Sequence, residues 1–385
     1  MERDFVILVV DDSRINRMAL TKSLSKEHYA LFEAESADAA LTFISHRKPD
    51  LILLDIVMPE MSGFDLCRLL KQQSATHEIP IIFITSLDTP EDKIKGLELG
   101  AVDFITKPFD TAEILARVRT QVELQQMYRT LLETNQRIER DLATARHIQH
   151  NLLPKASCFL TGNLEFEYAY IPCDELGGDF FDIYQIDGEH IVFYILDVSG
   201  HGVASSLITI FTKFFFSLHA KTARDPAKLL DMLNRQFFQE RFTEKYITVF
   251  LGILNLSQGQ LTWSSAGQSV APILYTADEE HLLSMHSFPI GLLEQVTYTS
   301  ATCDFNPGTS LLMYTDGVTD IQIGDGIPIF EEASLLQYIH THKYSDNQHM
   351  VSSLLSYINQ RARKEDFPDD ITIFLLRRGM GEDSR

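Results

Sequence analysis

Three acidic side chains in the first third of the chain lie at the ends of apolar runs and could bind a divalent cation. Asp11 and Asp12 directly follow one run, and Asp55 ends another. If both runs are parallel strands, these carboxylates share the carboxyl edge of a sheet, where open α/β folds place their sites. Crowded carboxylates repel one another unless a hard cation neutralises them, and Mg²⁺ suits oxygen ligands. With Lys107 holding an incoming phosphoryl group, the Asp55 carboxylate could attack phosphorus and form an acyl phosphate.

A second set of acidic residues recurs at turns in the remainder of the chain. The four clusters are GGDFFD (177–182), DVSGHG (197–202), YTDG (314–317) and PDDIT (368–372). Glycine in each of the first three permits tight turns and close approach of a ligand. Carboxylates without a matching set of His or Cys favour Mn²⁺ or Mg²⁺ over zinc. Two such ions sharing a water would direct it at phosphorus, so the predicted reaction is phosphate ester hydrolysis.

The elements that must position the first set alternate between strand and helix. Continuous apolar runs predict parallel strands that are covered on both faces: VILVV (6–10), LILLD (51–55) and IIFIT (81–85). Helical patterns fall between and after them, at about 14–26, 36–47, 63–73 and 90–99, and a last helix starts near Thr111. This alternation predicts a doubly wound α/β domain.

The stretch that follows has the spacing of a coiled-coil helix. Its seam positions step alternately by four and three residues: Leu124, Tyr128, Leu131, Asn135, Ile138, Leu142, Ala145 and Gln149. Asn135 in the seam would fix register and oligomeric state at some cost in stability. The alternative is a lone amphipathic helix packed on a neighbouring domain. In either case residues 123–153 form a helical linker between two domains, and the seam predicts a homodimer.

After Pro154 the pattern changes to alternating runs that are typical of half-buried strands. The runs are 164–171, 190–198, 246–254, 261–267, 309–317 and 370–378, with helical blocks at 202–219, 226–240 and roughly 331–364. They predict an α+β domain over 154–380, with two β-sheets flanked by helices.

The net charge limits the classes of partner to be expected, and the cysteine content indicates the redox state of the compartment. The net charge is −21, and no cluster of Lys and Arg is evident, so nucleic acid and anionic membranes are not expected partners. The four cysteines are far apart, without a C-x-x-C pair or a secretory signal, which favours a reducing cytoplasm. The most apolar stretch, 207–218, is too short to cross a bilayer and contains Lys213.

The acidic strand ends resemble those of a bacterial two-component receiver domain over about residues 4–122, which we take as domain 1–122. Asp11 and Asp55 are 44 positions apart, Asp55 and Thr85 are 30 apart, and Thr85 and Lys107 are 22 apart. The resemblance implies a flavodoxin-like, five-stranded parallel sheet and a cognate histidine kinase. It also implies Asp55 as phosphoacceptor, Thr85 and Phe104 as switch residues, Lys107 as phosphate contact, and Mg²⁺ held by Asp11, Asp12, Asp55 and the Val57 carbonyl.

The later clusters resemble the metal-dependent protein phosphatases of type 2C (PPM), in the bacterial branch that includes RsbU and SpoIIE. The helical entry LATARHIQHNLLP (142–154) is followed, in the family's order, by Y-x-P-x-x-E-x-G-G-D-F (170–180), D-V-S-G-H-G, F-P-I-G (288–291), Y-T-D-G-V-T-D (314–320) and D-D-I-T. By position, the resemblance implies that Asp197 bridges two Mn²⁺ or Mg²⁺ ions and that the Val198 carbonyl helps to hold one. Asp179, Asp316 and Asp369 complete the ligands, with Asp370 as the alternative to Asp369.

Two departures from the family pattern fall outside the acidic positions. Relatives often carry His-Asn where this chain has Gln268-Ser269, and the second motif reads FFDI rather than FYDF. We interpret both as peripheral to the metal site. His201 could donate to substrate or could be a structural residue of its turn.

Together these features predict a response regulator whose output is a serine/threonine phosphatase. The resemblance implies a phosphorylated anti-sigma factor antagonist of the STAS type as substrate. The competing hypothesis is a phosphorylation-dependent binding adaptor, with a weak or inactive phosphatase fold, that sequesters a sigma or anti-sigma factor. A transcription factor is disfavoured because no helix-turn-helix follows the first domain.

Overall fold

The chain forms two compact units, Met1–Ile138 and Glu139–Arg385. The computed structural model describes residues 5–86, 90–155, 163–240, 242, 244–323, 327–343, 349–362 and 367–380. It confirms the predicted combination of a parallel α/β domain, a helical linker and a domain of two antiparallel sheets.

The first unit is built on one parallel sheet. Its strands are β1 (Phe5–Val10), β2 (Tyr29–Ala34), β3 (Leu51–Asp55), β4 (Ile81–Thr85) and β5 (Asp103–Thr106), and they pair in the order β2-β1-β3-β4-β5. The helices are α1 (Arg14–Leu24), α2 (Ala37–His46), α3 (Gly63–Gln72), α4 (Pro90–Glu98) and the long α5 (Thr111–Leu152). The predicted helices match these within two residues at each end.

Apolar side chains cover both faces of this sheet, which explains why its strands read as continuous apolar runs. Leu8 and Val10 of β1 pack with residues of α2 and α3, whereas Ile7 and Val9 pack with α1 and the start of α5. The hydroxyl of Ser36 caps the first turn of α2 by accepting from the Ala39 amide at 3.1 Å. The packing leaves the carboxyl ends of β1, β3 and β4 at one edge.

Helix α5 is attached to the first unit by the buried side chains of Ile114, Val118 and Val122, and beyond them by Arg129. The Arg129 guanidinium donates to Oδ1 of Asp50, a residue only 5% exposed, and lies over the ring of Phe5. The other carboxylate oxygen of Asp50 accepts from the Val6 amide at 2.8 Å. On either side of Arg129, the seam residues Leu124, Tyr128, Leu131 and Ile138 are exposed in this single chain.

The second unit contains two five-stranded antiparallel sheets. One has the order β13-β10-β9-β8-β7 and the other β12-β11-β14-β17-β6. Their strands are β6 (Leu164–Ile171), β7 (Asp179–Gln185), β8 (His190–Val198), β9 (Ile247–Asn255), β10 (Gln260–Ala266), β11 (Ile273–Tyr275), β12 (Glu280–Leu282), β13 (Ala301–Asp304), β14 (Ser310–Tyr314) and β17 (Ile371–Arg378), while β15 (Gln322–Ile323) and β16 (Ile327–Pro328) form a separate pair.

Helices cover the outer faces of the two sheets. They are α6 (Val203–His219), α7 (Pro226–Gln239), α8 (Glu332–His342) and α9 (Met350–Asn359). Strand β17 shows the layering, because Phe374 and Leu376 join the core between the sheets and Ile373 and Leu375 pack with α8 and α9. The helical block predicted over 331–364 is divided into α8 and α9, and residues 344–348 and 363–366 lie outside the described part.

Helix α6 contains the most apolar stretch of the sequence. Its inward face carries Ile208, Phe215 and Phe216, which are at most 8% exposed and belong to the core. Of the helices in the described part of the chain, none combines the length and apolar character that crossing a bilayer requires.

Candidate functional site

The first candidate site lies where β1, β3 and β5 end. Lys107, which follows β5, donates through Nζ to Asp11 Oδ2 at 2.9 Å and to Asp55 Oδ2 at 2.7 Å. Burial raises the pKa of Asp55, the hydrogen bond from Lys107 opposes this rise, and the nearby Asp11 carboxylate adds to it. An oxygen each of Asp11, Asp12 and Asp55 lie within 4.8 Å of one another. The predicted trio is therefore brought together with the predicted lysine.

The neighbouring loops hold these carboxylates in place. Asp11 accepts from the Ser13 amide at 2.8 Å and from the Asn16 side chain, so its orientation is fixed. The Val57 amide lies 3.4 Å from Asp55 Oδ1, which brings the Val57 backbone to the site. A Cβ at Gly63 would come within 2.1 Å of the Asp55 carbonyl oxygen, so only glycine fits where α3 begins against this strand end.

The two predicted switch residues share a small cavity beside this site. Thr85 is 2% exposed at the end of β4, and it lines the cavity together with Phe104 of β5. Phe104 is partly exposed, with the ammonium of Lys93 4.9 Å from its ring centroid. Thr85 and Phe104 therefore lie close enough to line one cavity.

The second candidate site is built first on a pair of strands. Asp179 begins β7 and is paired across the sheet with Asp197 near the end of β8. Burial, the charge of Asp197 and the charge of Asp370 raise the pKa of Asp179 well above its ordinary value. Its Oδ2 accepts from the hydroxyls of Thr315 at 2.7 Å and Thr372 at 2.6 Å. Asp179 is thus connected to both sheets of the second unit.

Asp197 lies among other carboxylates. Burial and then the charges of Asp316, Asp369 and Asp370 raise the pKa of Asp197 to about 8. Lys245 is the basic side chain that opposes this rise. The predicted residues therefore converge electrostatically, although they come from strands far apart in the sequence.

The turn after β14 adds Asp316, and the turn before β17 adds Asp369. Asp316 starts a single 3-10 turn, and its Oδ2 accepts from the Ser269 hydroxyl at 3.0 Å. Burial raises the pKa of Asp369, and the charges of Asp370 and Asp316 contribute. A Cβ at Gly317 would come within 1.9 Å of the Asp370 carbonyl oxygen, so glycine is needed for these two turns to meet.

Asp370 is bonded differently from its neighbour. It is 2% exposed, its Oδ1 accepts from the Cys173 amide at 2.8 Å, and its Oδ2 accepts from the Gly178 amide at 2.6 Å and the Asp179 amide at 3.3 Å. Both oxygens are thus engaged with backbone donors. By contrast, the Asp369 carboxylate accepts a hydrogen bond from the Asp370 amide at 2.8 Å through Oδ1, and Asp369 is partly exposed.

The loop after Asp197 is held by the two residues that precede strand β9. The Ser199 amide donates to the Tyr246 carbonyl at 2.9 Å, and Lys245 Nζ donates to the Ser199 carbonyl at 2.7 Å and to the Ser205 hydroxyl at 3.0 Å. The Val198 amide donates to the Gly178 carbonyl at 3.0 Å. The position of the Val198 backbone is therefore fixed from two sides.

The sequence leaves the role of His201 open and does not predict the position of Ser269. His201 is exposed, and its Nδ1 lies 3.0 Å from Asp174 Oδ2. Hydrogen bonds with Glu175, and then the one with His201, lower the pKa of Asp174. Ser269 is expected to be peripheral, but its hydroxyl contacts Asp316. The preceding residue, Gln268, is partly buried, and within the described part of the chain its side-chain oxygen has no hydrogen-bond partner.

The donors of the second site fit divalent cations. They are carboxylates, and burial together with the charges of neighbouring carboxylates raises the pKa values of Asp179, Asp197 and Asp369. Hard cations with oxygen ligands would offset this repulsion. A carboxylate oxygen of Asp369, one of Asp370 and the Cys173 Sγ lie within 4.8 Å of one another. Among the described residues, Asp179, Asp197 and Asp316 are not members of this group. A spread of carboxylates wider than one ion's shell suits two ions better than one.

Comparison with known families decides the classification. The model of the family "Stage II sporulation protein E (SpoIIE)" matches residues 187–379, half of the chain. The chain belongs to the SpoIIE family. A second model, the response regulator receiver domain, matches residues 7–119. This SpoIIE-family chain therefore combines a receiver domain with a PPM-type phosphatase domain, as predicted.

Curated relatives of this SpoIIE-family chain match its receiver part. Response regulator PleD of Caulobacter vibrioides is 46% identical over 114 residues, which cover 30% of this chain and 25% of PleD. The phosphate regulon transcriptional regulatory protein PhoB of Pseudomonas aeruginosa is 45% identical over 113 residues, 29% of this chain and 49% of PhoB. The chain thus spans between a quarter and half of the length of these relatives.

A solved structure supports the fold of the second unit. The SiaA-PP2C domain of Pseudomonas aeruginosa has a TM-score of 0.55 and 21% identity, and the match covers 63% of this chain and 98% of that domain. At this identity the likeness concerns the fold alone.

Proposed function

We propose that this SpoIIE-family chain is a response regulator whose output is hydrolysis of phosphoserine or phosphothreonine on a regulatory protein. The observation that carries the proposal is the convergence of Asp197 with Asp316 and Asp369: burial, and then the charges of Asp316, Asp369 and Asp370, raise the pKa of Asp197 to about 8. Such a cluster is costly unless cations neutralise it, and metal-assisted hydrolysis is the chemistry that carboxylate-bound cation pairs perform. The proposed segments are a receiver (1–122), a linker (123–153) and a phosphatase domain (154–380).

We infer that Asp179, Asp197, Asp316, Asp369 and the Val198 carbonyl are the metal ligands. Asp369 is favoured over Asp370 because both oxygens of Asp370 accept backbone hydrogen bonds. When bound, two Mn²⁺ or Mg²⁺ ions would neutralise the carboxylates, polarise the phosphoryl group and activate a water. The water oxygen forms the new bond to phosphorus, the serine or threonine oxygen leaves with a proton, and inorganic phosphate is released.

Side chains around the site orient the proposed ligand carboxylates and offset the negative charge of the substrate. The hydroxyls of Thr315 and Thr372 bond one oxygen of Asp179 and leave the other for a ligand role. Lys245 places a positive charge beside the loop that follows Asp197, where it would offset the charge of the substrate phosphoryl group. Ser269 orients Asp316. These contacts reduce the reorganisation that metal and substrate binding require.

The receiver geometry supports control by phosphorylation of Asp55. A phosphoryl group leaves the histidine nitrogen of a kinase, and the Asp55 carboxylate oxygen takes it. Asp11 and Asp12 would hold Mg²⁺ with the Val57 carbonyl, and Lys107 would exchange its bond to Asp55 for one to a phosphoryl oxygen. Thr85 and Phe104 would report the change at the surface.

The substrate and partners follow from the family and from the charge of the chain. We propose a phosphorylated STAS-type anti-sigma factor antagonist as substrate, a separate histidine kinase as partner and a homodimer formed through the seam of α5. The few, widely separated cysteines favour a reducing compartment such as the cytoplasm.

Hydrolysis of p-nitrophenyl phosphate with and without Mn²⁺ tests the proposed activity. The wild-type chain should turn over only with the metal, and Asp197→Asn should lose at least ~100-fold of the rate, because a lost ligand costs more than a lost second-shell contact. The control is Asp278→Asn, which makes the same change at an exposed position. A wild-type chain that binds a phosphorylated STAS protein without turnover would favour the binding adaptor.

Beryllofluoride or acetyl phosphate tests the control by Asp55. Treatment of the wild-type chain should change the rate of hydrolysis, and Asp55→Asn should remove the change while it leaves the basal rate. An unchanged wild-type rate, with phosphorylation verified by mass spectrometry, would exclude the receiver from this control.

A further inference from the structure

Near its carboxyl end, helix α5 carries one polar side chain that is buried within the second unit. Gln149 is 2% exposed, whereas Ile148 and His150 on either side of it are exposed. Its side-chain amide donates through Nε2 to the Gly177 carbonyl at 2.9 Å. A buried amide with a single directed bond fixes the distance between this helix and the turn at Gly177.

That turn is where several parts of the candidate metal site meet. The Gly178 amide donates to Asp370, and the Gly178 carbonyl accepts from the Val198 amide. Asp179 follows directly. The turn thus joins a proposed ligand of β7, the backbone after Asp197 and the buried carboxylate that precedes β17.

The turn is packed closely against its neighbours. A Cβ at Gly177 would come within 2.4 Å of the Tyr170 hydroxyl and 2.7 Å of Asp370 Oδ2, and one at Gly178 within 2.6 Å of the Val198 carbonyl oxygen. In so tight a packing, a displaced Gly177 carbonyl would move Asp179 and Val198 with it.

We propose that Gln149 is a positioning residue, which sets the Gly177–Gly178 turn and through it the metal ligands Asp179 and Val198. The metal part of this inference rests on the proposed function. Because α5 is one uninterrupted helix from Thr111 to Leu152, a rotation or shift of the helix would be transmitted to the turn through this bond. Gln149 is therefore a point at which the linker could tune metal affinity.

Gln149→Met tests the inference, because methionine keeps the length and packing of the side chain but cannot donate. Mn²⁺ binding measured by titration calorimetry should weaken by roughly 10-fold, as expected for loss of an outer-shell contact. Saturating Mn²⁺ should restore kcat on p-nitrophenyl phosphate. The control is Gln126→Met, the same change at an exposed position of the same helix.

A second variant and a metal-free measurement keep the test decisive. Gln149→Glu has nearly the same size but presents only acceptors to the Gly177 carbonyl, so it should weaken Mn²⁺ binding at least as much. In the metal-free chain, hydrogen exchange of the peptide containing Gly178 and Asp179 should be faster in either variant than in the control. Unchanged exchange and Mn²⁺ affinity in both variants would overturn the role of Gln149, whereas a wild-type chain that binds no Mn²⁺ would overturn this role together with the proposed function.

Discussion

Asp369 and Asp370 are neighbours in the chain, but they have different contacts and therefore different structural roles. Asp370 accepts three backbone hydrogen bonds and ties residues 173–179 to the start of β17. Asp369 is half-buried near Asp316 and Asp197, and its carboxylate is repelled by the negative charges of both. One carboxylate therefore stabilises the fold, and the other strains it unless a cation is bound.

Asparagine at each position should separate these two roles. Asp370→Asn should lower the free energy of unfolding by about 1–3 kcal/mol, because buried amides lose their charged acceptor. Asp369→Asn should leave the metal-free stability within about 0.5 kcal/mol or raise it, and should weaken Mn²⁺ binding. Urea unfolding followed by the fluorescence of Trp263, the sole tryptophan, measures the stability of the second unit. Equal losses of stability would contradict the assignment.

The raised pKa of Asp197 gives the metal-free chain a pH dependence. A carboxyl group with a higher pKa in the folded state than in the unfolded state holds its proton longer when folded, so its ionisation destabilises the fold. Stability of the metal-free chain should fall as pH rises from about 4, the ordinary carboxyl pKa, to about 8. Asp197→Asn should flatten this fall and raise the melting temperature at pH 8. A steeper fall in the variant, measured by Trp263 fluorescence, would refute this account.

At the scale of elements, the long helix α5 has different environments along its length. Arg129 reaches the buried Asp50 of the first unit, the seam residues between 124 and 138 are exposed, and Gln149 is buried in the second unit. Only the exposed stretch has the surroundings that a partner helix requires. The sequence spacing alone assigns Gln149 to the same seam.

The Arg129–Asp50 pair should stabilise the region where α5 leaves the sheet. Arg129→Met should lower protection of β3 amides against hydrogen exchange by about 1–2 kcal/mol, because Asp50 remains buried without its cation. The cost is modest because 43% of the Arg129 side chain is exposed, so that water screens the pair. In an Asp50→Asn background the same change should cost less than about 0.5 kcal/mol. Equal costs in both backgrounds would mean that the pair is not coupled.

The regular elements could be predicted because their signals are local. Continuous apolar runs identified β1, β3 and β4, and alternation identified β6, β8 and β17 almost to the residue. The short strands β11, β12 and β13 carry three or four residues each, too few for a periodic signal, and they form through pairing with strands distant in the sequence. Their positions therefore required the structure.

The candidate site was predictable in its acidic members and not in their neighbours. Glycine beside aspartate is a local signal, so Asp179 and Asp316 could be singled out. Ser269 contacts Asp316 across 47 positions, and Gln149 contacts Gly177 across 28, and nothing in the local sequence of either indicates its partner. The separate roles of Asp369 and Asp370 depend on the direction of each side chain, which the sequence leaves open.

At the scale of the whole molecule, the exposed seam predicts self-association. Leu131 is 56% exposed in the single chain, and burying it against a second copy would remove apolar surface from water. Leu131→Glu should weaken the dimer by roughly 10-fold or more, as judged by sedimentation equilibrium. Thr130→Glu, an exposed change on the same turn outside the seam, should leave it intact. A wild-type monomer at all concentrations would remove the homodimer from the proposal.

Strand β17 lies between β14 and β6, and it is the last of the described strands to be synthesised. A nascent chain must therefore keep β6 unpaired along this edge until the ribosome has released residues 371–378. Asp369 and Asp370 emerge just ahead of this strand. Translation itself thus delays completion of this sheet and of the carboxylate cluster, and a message cut short before this point yields a receiver domain without the finished phosphatase fold.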